Sequence, residues 1–266
     1  MTTQPPLLDV TDLRKTYGTH TAAEAISFTL TPGGALGIVG ESGSGKTTVA
    51  RMLVGLVPPD HGTIKVDGTP RPAKPPRGKT PRLARARQIQ MVFQDPYVSL
   101  DPRLTADECL RSALRLHGRD ESTASALLDQ VGLGAREATA RPRHLSGGQR
   151  QRLAIARALA VDPQVLVLDE AVAALDVSIQ AQILRLLDEI RRDTGVALVF
   201  VSHDLAVVQH VTDEVLVMRR GRVVERGPTH RVLSEPTDPY TRLLLASVPG
   251  RGWDPADAVA ARAALT

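Results

Sequence analysis

The residues with the plainest chemical purpose are Gly40-Glu41-Ser42-Gly43-Ser44-Gly45-Lys46-Thr47. Glycines in such a run let consecutive backbone N–H groups turn inward and cradle phosphate oxygens. The spacing G-x-x-x-x-G-K-S/T is complete. It puts Lys46 within reach of the β and γ phosphates of a nucleotide, and the Thr47 hydroxyl on Mg²⁺. Lys46 is one of five lysines among 33 basic residues, so lysine is not the default cation of this chain. The bland alternative is a glycine-rich turn before a helix. Context separates the two. The apolar run 35–39 reads as a strand and 47–56 as a helix, whose positive dipole end points at the same anions. ATP is the expected ligand.

A second constellation is Val165-Leu166-Val167-Leu168-Asp169-Glu170, an apolar strand ending in two carboxylates. At a strand end near bound phosphates, Asp169 is expected beside Mg²⁺ through water, and Glu170 can act as general base on the attacking water. Apolar strands ending in acids are common by chance; downstream of a phosphate loop the pattern gains meaning. A third is Leu145-Ser146-Gly147-Gly148-Gln149. Ser146 can cap a helix, and Gln149 at the third helical position completes a capping box. The two glycines beside Ser146 bare backbone N–H groups, which makes a second anion site. One chain has one phosphate loop, so that second site calls for another phosphate or another molecule.

These sites need a frame, and the composition supplies an ordinary one. The 266 residues are 42% hydrophobic and 23% charged, enough for one sizeable core or a core plus a small lobe. Aromatics are 3%, which argues against base stacking on several aromatic platforms. The single cysteine, Cys109, makes neither an internal disulfide nor a Cys-rich metal site. A net charge of +4 suits nucleotide phosphates or an anionic surface and does not demand nucleic acid. Residues 1–8 lack a signal-peptide pattern, and no run approaches the roughly 20 apolar residues of a membrane span.

Strands are expected at 7–13, 25–30, 35–39, 63–66, 89–93, 165–168 and 196–201, with a hairpin from 215–218 and 222–225 around Arg219-Arg220-Gly221. Helices are expected at 106–117, 123–131, 149–160, 178–192, 229–233 and 240–246; in the longest, Ile183, Leu184, Leu187 and Ile190 fall at helical spacing, with Gly195 as the stop. The Pro-, Lys- and Arg-rich stretch 69–87 reads as a solvated loop, running into a short helix at 82–87; a basic patch for lipid or nucleic acid is the alternative. Strands alternating with helices imply a mostly parallel sheet covered on both faces. No internal repeat is evident.

Taken in order, these motifs resemble the nucleotide-binding subunit of an ABC transporter over about residues 7 to 250. The run at 40–47 matches Walker A, 165–170 matches Walker B with its catalytic glutamate, and 145–149 matches the LSGGQ signature. Gln94 matches the Q-loop glutamine, Ala174-Leu175-Asp176 the D-loop and His203 the switch histidine, although a lone histidine after an apolar strand is more often structural. Tyr17 stands where the family stacks an aromatic on adenine, and Thr48 extends the phosphate loop.

The resemblance implies an α/β P-loop NTPase. Its RecA-like, mostly parallel core sheet is joined by an antiparallel β subdomain and an α-helical signature subdomain. One domain is expected over 5–250, with the helical subdomain inserted at about 96–160 and a disordered tail at 251–266. It further implies ATP and Mg²⁺, with Thr47, Gln94 and Asp169 toward the metal. Glu170, His203 and Gln94 would act in catalysis. Ser146, Gly147, Gly148 and Gln149 would close over the ATP of a facing subunit, and Asp176 would couple the two sites.

Met91-Val92-Phe93-Gln94-Asp95-Pro96, Ser99-Leu100-Asp101-Pro102-Arg103 and Asp238-Pro239-Tyr240-Thr241-Arg242-Leu243-Leu244 are similar to the peptide and nickel importer branch. Asp238 replaces that branch's usual histidine, and Ala173 stands where a serine is common. Longer members carry a cysteine-bearing extension, so this chain resembles the shorter of two paired ATPases. The implied partners are a longer paralogue or an identical copy, two transmembrane permeases and an extracytoplasmic solute-binding protein, at the cytoplasmic membrane face and without nucleic acid. The alternative is a soluble ABC-type ATPase acting on nucleic acid or ribosomes, which generally needs two ATPase units or long coiled-coil inserts. A small-molecule kinase fits the signature and His203 poorly.

Overall fold

Short runs of consecutive apolar residues, as at 35–39 and 165–168, and longer alternating ones, as in 20–30, mark two kinds of strand in this chain. The structure is a computed structural model that describes residues 5–247. The expected tail at 251–266 lies outside them. In chain order the elements are β1 (Leu8–Tyr17), β2 (His20–Leu30), β3 (Ala35–Val39), α1 (Lys46–Val54), β4 (His61–Val66), β5 (Thr69–Pro70), α2 (Lys79–Gln88), β6 (Ile89–Val92), α3 (Ala106–Leu116), α4 (Ala124–Gln130) and α5 (Ala135–Ala138). They continue as α6 (Gly147–Leu159), β7 (Val165–Asp169), α7 (Val177–Thr194), β8 (Ala197–Ser202), α8 (Leu205–Gln209), β9 (Glu214–Arg219), β10 (Arg222–Pro228), α9 (Thr229–Ser234) and α10 (Pro239–Ala246). The contacts divide into two compact units, one joining the chain up to Lys74 with the chain from Leu198, the other being Pro75–Ala197.

In the first unit, β1 pairs antiparallel with β2 and β4, and β5 closes the order β2-β1-β4-β5. The alternation along β1 and β2 leaves one face toward the core, with Leu8, Val10, Leu13, Ile26 and Phe28 buried. β3 is buried at all five positions and lies between two parallel strands, β8 on one side and β9 on the other. β9 and β10 form the expected hairpin, with Arg220 and Gly221 both at positive φ (48° and 81°), as a tight two-residue turn requires.

In the second unit, β6 runs parallel to β7 in the register Ile89↔Val165. Around them, α3 buries Ala106, Cys109, Leu110, Ala113 and Leu114 at helical spacing, and Thr105 with Glu108 forms a capping box at its start. α7 buries the expected stripe of Ile183, Leu184, Leu187 and Ile190, and ends at Gly195 with φ of 72°.

The main correction falls on 69–87. Instead of a loop with a short helix, Thr69–Pro70 pairs with β4, the Arg71 N–H donates to the Ile64 carbonyl, and Arg71 is buried. α2 then begins at Lys79 and buries none of its residues. Its Arg, Ala, Leu and Gln content favours helix without an apolar stripe, and Pro81 sits in the first turn, where a missing N–H costs nothing.

Candidate nucleotide site

In the first unit, β3 delivers the chain into the glycine loop and α1 takes it away. Gly40 has φ of 151°, and a Cβ there would lie 2.2 Å from the Met218 carbonyl oxygen. Gly45 has φ of 104°, and a Cβ there would lie 2.0 Å from the Ala22 carbonyl oxygen. Backbone on both sides leaves no room for any other residue at either position. The Gly221 N–H donates to the Ser44 carbonyl at 3.0 Å, and the Ser44 N–H to the Glu41 carbonyl at 3.1 Å, so the loop is tied both to the β9–β10 turn and to itself.

Lys46, the first residue of α1, is 4% exposed, and its ammonium donates to the carbonyls of Gly40 (2.7 Å) and Glu41 (2.9 Å). Gly45 caps α1 without a side-chain bond, so no side chain of the cap takes up a first-turn N–H. The Ser44 hydroxyl is buried with no hydrogen-bond partner in the structure. A buried ammonium, an uncapped helix start and an orphaned hydroxyl meet at one loop; this donor set fits a phosphate anion. Thr47 and Thr48 follow in the first turn of α1, each half-buried. Tyr17 ends β1 at 47% exposure, with the Lys15 ammonium 5.6 Å from its ring centroid. His203 directly follows β8 and is exposed, and the neighbouring Asp204 carboxylate accepts from the N–H groups of Ala206 and Val207 to start α8.

The second unit holds the remaining candidates. β7 is buried throughout, and Asp169 at its end is 7% exposed. Glu170 turns the chain with φ of 48°, a left-handed conformation that costs a non-glycine residue roughly 1–2 kcal/mol. Its carbonyl accepts from the Ala173 N–H at 3.1 Å, closing a tight turn. Asp176 then caps α7, its carbonyl accepting from Ile179 (2.9 Å) and Gln180 (2.8 Å).

At α6 the anticipated capping box is formed. The Ser146 hydroxyl accepts from the Gln149 N–H at 3.2 Å, and the Gln149 side chain accepts from the Ser146 N–H at 2.8 Å. The two glycines differ. A Cβ on Gly148 would lie 2.6 Å from Ile179 Cγ2, whereas one on Gly147 would meet Leu175 at an ordinary 3.4 Å. Gly148 thus lets α6 press on α7; packing makes no such demand of Gly147. Gln94, exposed just after β6, lines a cavity of about 360 Å³ with Tyr97, Gly147, Arg150, Ala174 and Leu175. The structure so gathers Gln94, the glycine turn and the residues before Asp176 around one opening. The Arg150 guanidinium stacks 4.9 Å from the Tyr97 ring centroid on its rim.

Sequence reasoning missed the residues that hold the phosphate loop from outside. Met218, Ala22 and Gly221 act through backbone atoms and leave no side-chain signature. Tyr240 is another matter. Its hydroxyl accepts the Glu41 N–H at 3.0 Å from 199 residues away, and its ring is 1% exposed. Burial pushes this hydroxyl's pKa up, against the pull of the Glu41 N–H, so it keeps its proton at neutral pH. Its only sequence signal was the Pro239-Tyr240-Thr241 likeness to one family branch.

Among the described residues no helix is long and apolar enough to cross a membrane. Residues 23–173 match the family described as ABC transporter. The chain is 47% identical over 238 residues to a probable peptide ABC transporter ATP-binding protein of Sinorhizobium fredii, covering 86% of this chain and 65% of that protein. It is 49% identical over 233 residues to the glutathione import ATP-binding protein GsiA of Escherichia coli, covering 86% of this chain and 37% of GsiA. The chain therefore spans less than two thirds of the length of these relatives. Among solved structures, cbiO1 from Clostridium perfringens, part of the ABC transporter complex cbiONQ, superposes with a TM-score of 0.78 at 27% identity, covering 87% of this chain and 92% of that one. A dimeric ATP-binding cassette in a post-hydrolysis state, bound to ADP and Pi, superposes with a TM-score of 0.74 at 28% identity, covering 84% and 98%. The fold is that of the ABC ATPase cassettes, as the motifs implied, and the chain belongs to the ABC transporter family.

Proposed function

We propose that this chain is an ATP-hydrolysing subunit of a membrane importer that takes up peptides, nickel or a related small solute. The observation that carries the reading is Lys46, a buried cation held on two carbonyls at the head of a helix with no side-chain cap. Such a lysine is poised to exchange carbonyls for phosphate oxygens. In this reading, Lys46 and the N–H groups of 43–48 bind and orient the β and γ phosphates. Tyr17 stacks on the adenine. Thr47, Gln94 and Asp169 are the residues that would hold Mg²⁺, which when bound neutralises phosphate charge.

Glu170 takes the proton of the attacking water and His203 contacts the γ-phosphate. The strained backbone at Glu170 supports that assignment, because strain of this kind gathers at working sites. Ser146, Gly147, Gly148 and Gln149 serve the nucleotide of a facing subunit, a longer paralogue or a second copy, and Asp176 couples the two sites. A Cβ at Gly147 would make only an ordinary 3.4 Å contact with Leu175, which supports this, since a phosphate arriving from outside needs a bare N–H where the chain's own packing does not. Val177, 81% exposed beside Asp176, suits a covered interface. The assembly would include two permeases and a solute-binding protein, with this chain peripheral at the cytoplasmic face. Within the cassette, taken as 5–250, about 96–160 would form the helical subdomain.

Phosphate release from Mg-ATP tests this. Glu170→Gln is expected to keep ATP binding and lose about 10²–10⁴-fold in turnover, the usual worth of a general base. Lys46→Ala is expected to lose binding itself. A Glu170→Gln chain, alone or assembled, that turns over at the wild-type rate would remove Glu170 from the mechanism.

A further inference from the structure

We propose that Tyr240 is a positioning residue for the phosphate loop, and that α10 latches the loop through the peptide unit joining Gly40 and Glu41. The proposal rests on the reading that this loop holds ATP. That one peptide unit is held at both ends. Its carbonyl accepts from Lys46 Nζ at 2.7 Å and its N–H donates to the Tyr240 hydroxyl at 3.0 Å. A peptide unit is planar, so the two bonds turn together. The orientation that presents the Gly40 carbonyl to Lys46 is the one that presents the Glu41 N–H to Tyr240.

The tyrosine is itself fixed. The Arg219 guanidinium lies 5.0 Å from its ring centroid, and Arg219 follows Met218, whose carbonyl walls in Gly40. The Tyr240 N–H donates to the Asp238 carboxylate at 2.7 Å, capping α10. The stretch leading into the helix is tied to β10. Glu225 accepts from the Thr237 N–H and hydroxyl, both at 2.8 Å, and from the Asp238 N–H at 3.2 Å. Hairpin β9–β10 and helix α10 therefore bear on the loop as one braced piece.

The consequence concerns Lys46. To meet a nucleotide its ammonium must leave the Gly40 and Glu41 carbonyls. While the peptide is latched, the Gly40 carbonyl stays put and that part of the loop keeps its shape as the lysine departs. Without the Tyr240 hydroxyl, the Glu41 N–H loses its partner and the peptide can rotate, taking the lysine's resting acceptor with it. The loop then has to be ordered by the nucleotide, and the loss appears as weaker ATP binding.

Tyr240→Phe in the full chain tests the latch, since it deletes one oxygen and leaves the ring, its burial and the Arg219 contact. The expected result is a KM and Kd for Mg-ATP raised about three- to tenfold, the worth of one hydrogen bond, with kcat at saturating ATP within about twofold. Hydrogen exchange at the Glu41 amide, measured without nucleotide, should speed up in the same variant. Arg219→Met, which loosens the ring and spares the hydroxyl, should shift KM in the same direction by less. Unchanged KM and Kd in Tyr240→Phe, or a lost kcat at constant KM, overturns the latch while the ATP site stands. A wild-type chain that binds no nucleotide overturns the phosphate-site reading and the latch with it.

Discussion

Two helix starts, one in each unit, carry glycines and face the same physical problem, and they solve it differently. α1 begins at Gly45 with no side-chain cap, a buried lysine in its first position and the unpartnered Ser44 hydroxyl just ahead of it. α6 begins at Ser146 with a complete capping box. The first helix starts without a side-chain cap and with its lysine held on backbone carbonyls; the second has satisfied part of its own end with a capping box. The glycines follow the same division. Gly40 and Gly45 are enforced by backbone within their own unit, and Gly148 by Ile179, whereas Gly147 is enforced by nothing in this chain. The first site is thus built to seize an anion alone. The second is built to be offered as a preformed, rigid surface.

Substituting the glycines sharpens that contrast. Gly45→Ala drives a methyl into the Ala22 carbonyl at an unfavourable φ, and should cost at least about 2 kcal/mol together with nucleotide binding. Thermal melting and nucleotide titration read both losses. Gly147→Ala should melt within about 2 °C of the parent and bind ATP normally, yet turn over ATP at least about tenfold more slowly in the assembled pair, because the added methyl holds the facing phosphate off the N–H that would stabilise it. A Gly147→Ala chain that melts early would mean that the turn is structural after all. For Gly148→Ala, overpacking against Ile179 should cost about 1–3 kcal/mol, and a second change, Ile179→Ala, should return part of it. In stability, Ser146→Ala should cost less than Gly148→Ala or Gly45→Ala: it loses the cap of α6 for about 1 kcal/mol, or about 2–4 °C in Tm.

How much of this was legible depends on range. The phosphate loop and the capping box at 146–149 are local, so spacing alone reveals them. The stripe of α7 and the hairpin turn at Arg220-Gly221 are local too. β1 runs to Tyr17, beyond the expected 13, because its polar second half is held by pairing with β2 rather than by an apolar pattern. α2 was underestimated because it buries nothing, so no periodicity announces it. The five-residue α8 is too short to carry a period. The reason for Gly148 lies in a neighbour 31 positions on, and the partner of the Glu41 N–H lies near the end of the described chain. Such links exist only after folding.

The most direct test of the contrast is amide hydrogen exchange on the chain at concentrations where it is monomeric, with and without Mg-ATP. The account predicts slowed exchange over 43–48 and unchanged exchange over 146–149, with the second stretch becoming protected only in the assembled pair. Unchanged exchange over 43–48, or protection of 146–149 in the lone chain, would contradict it.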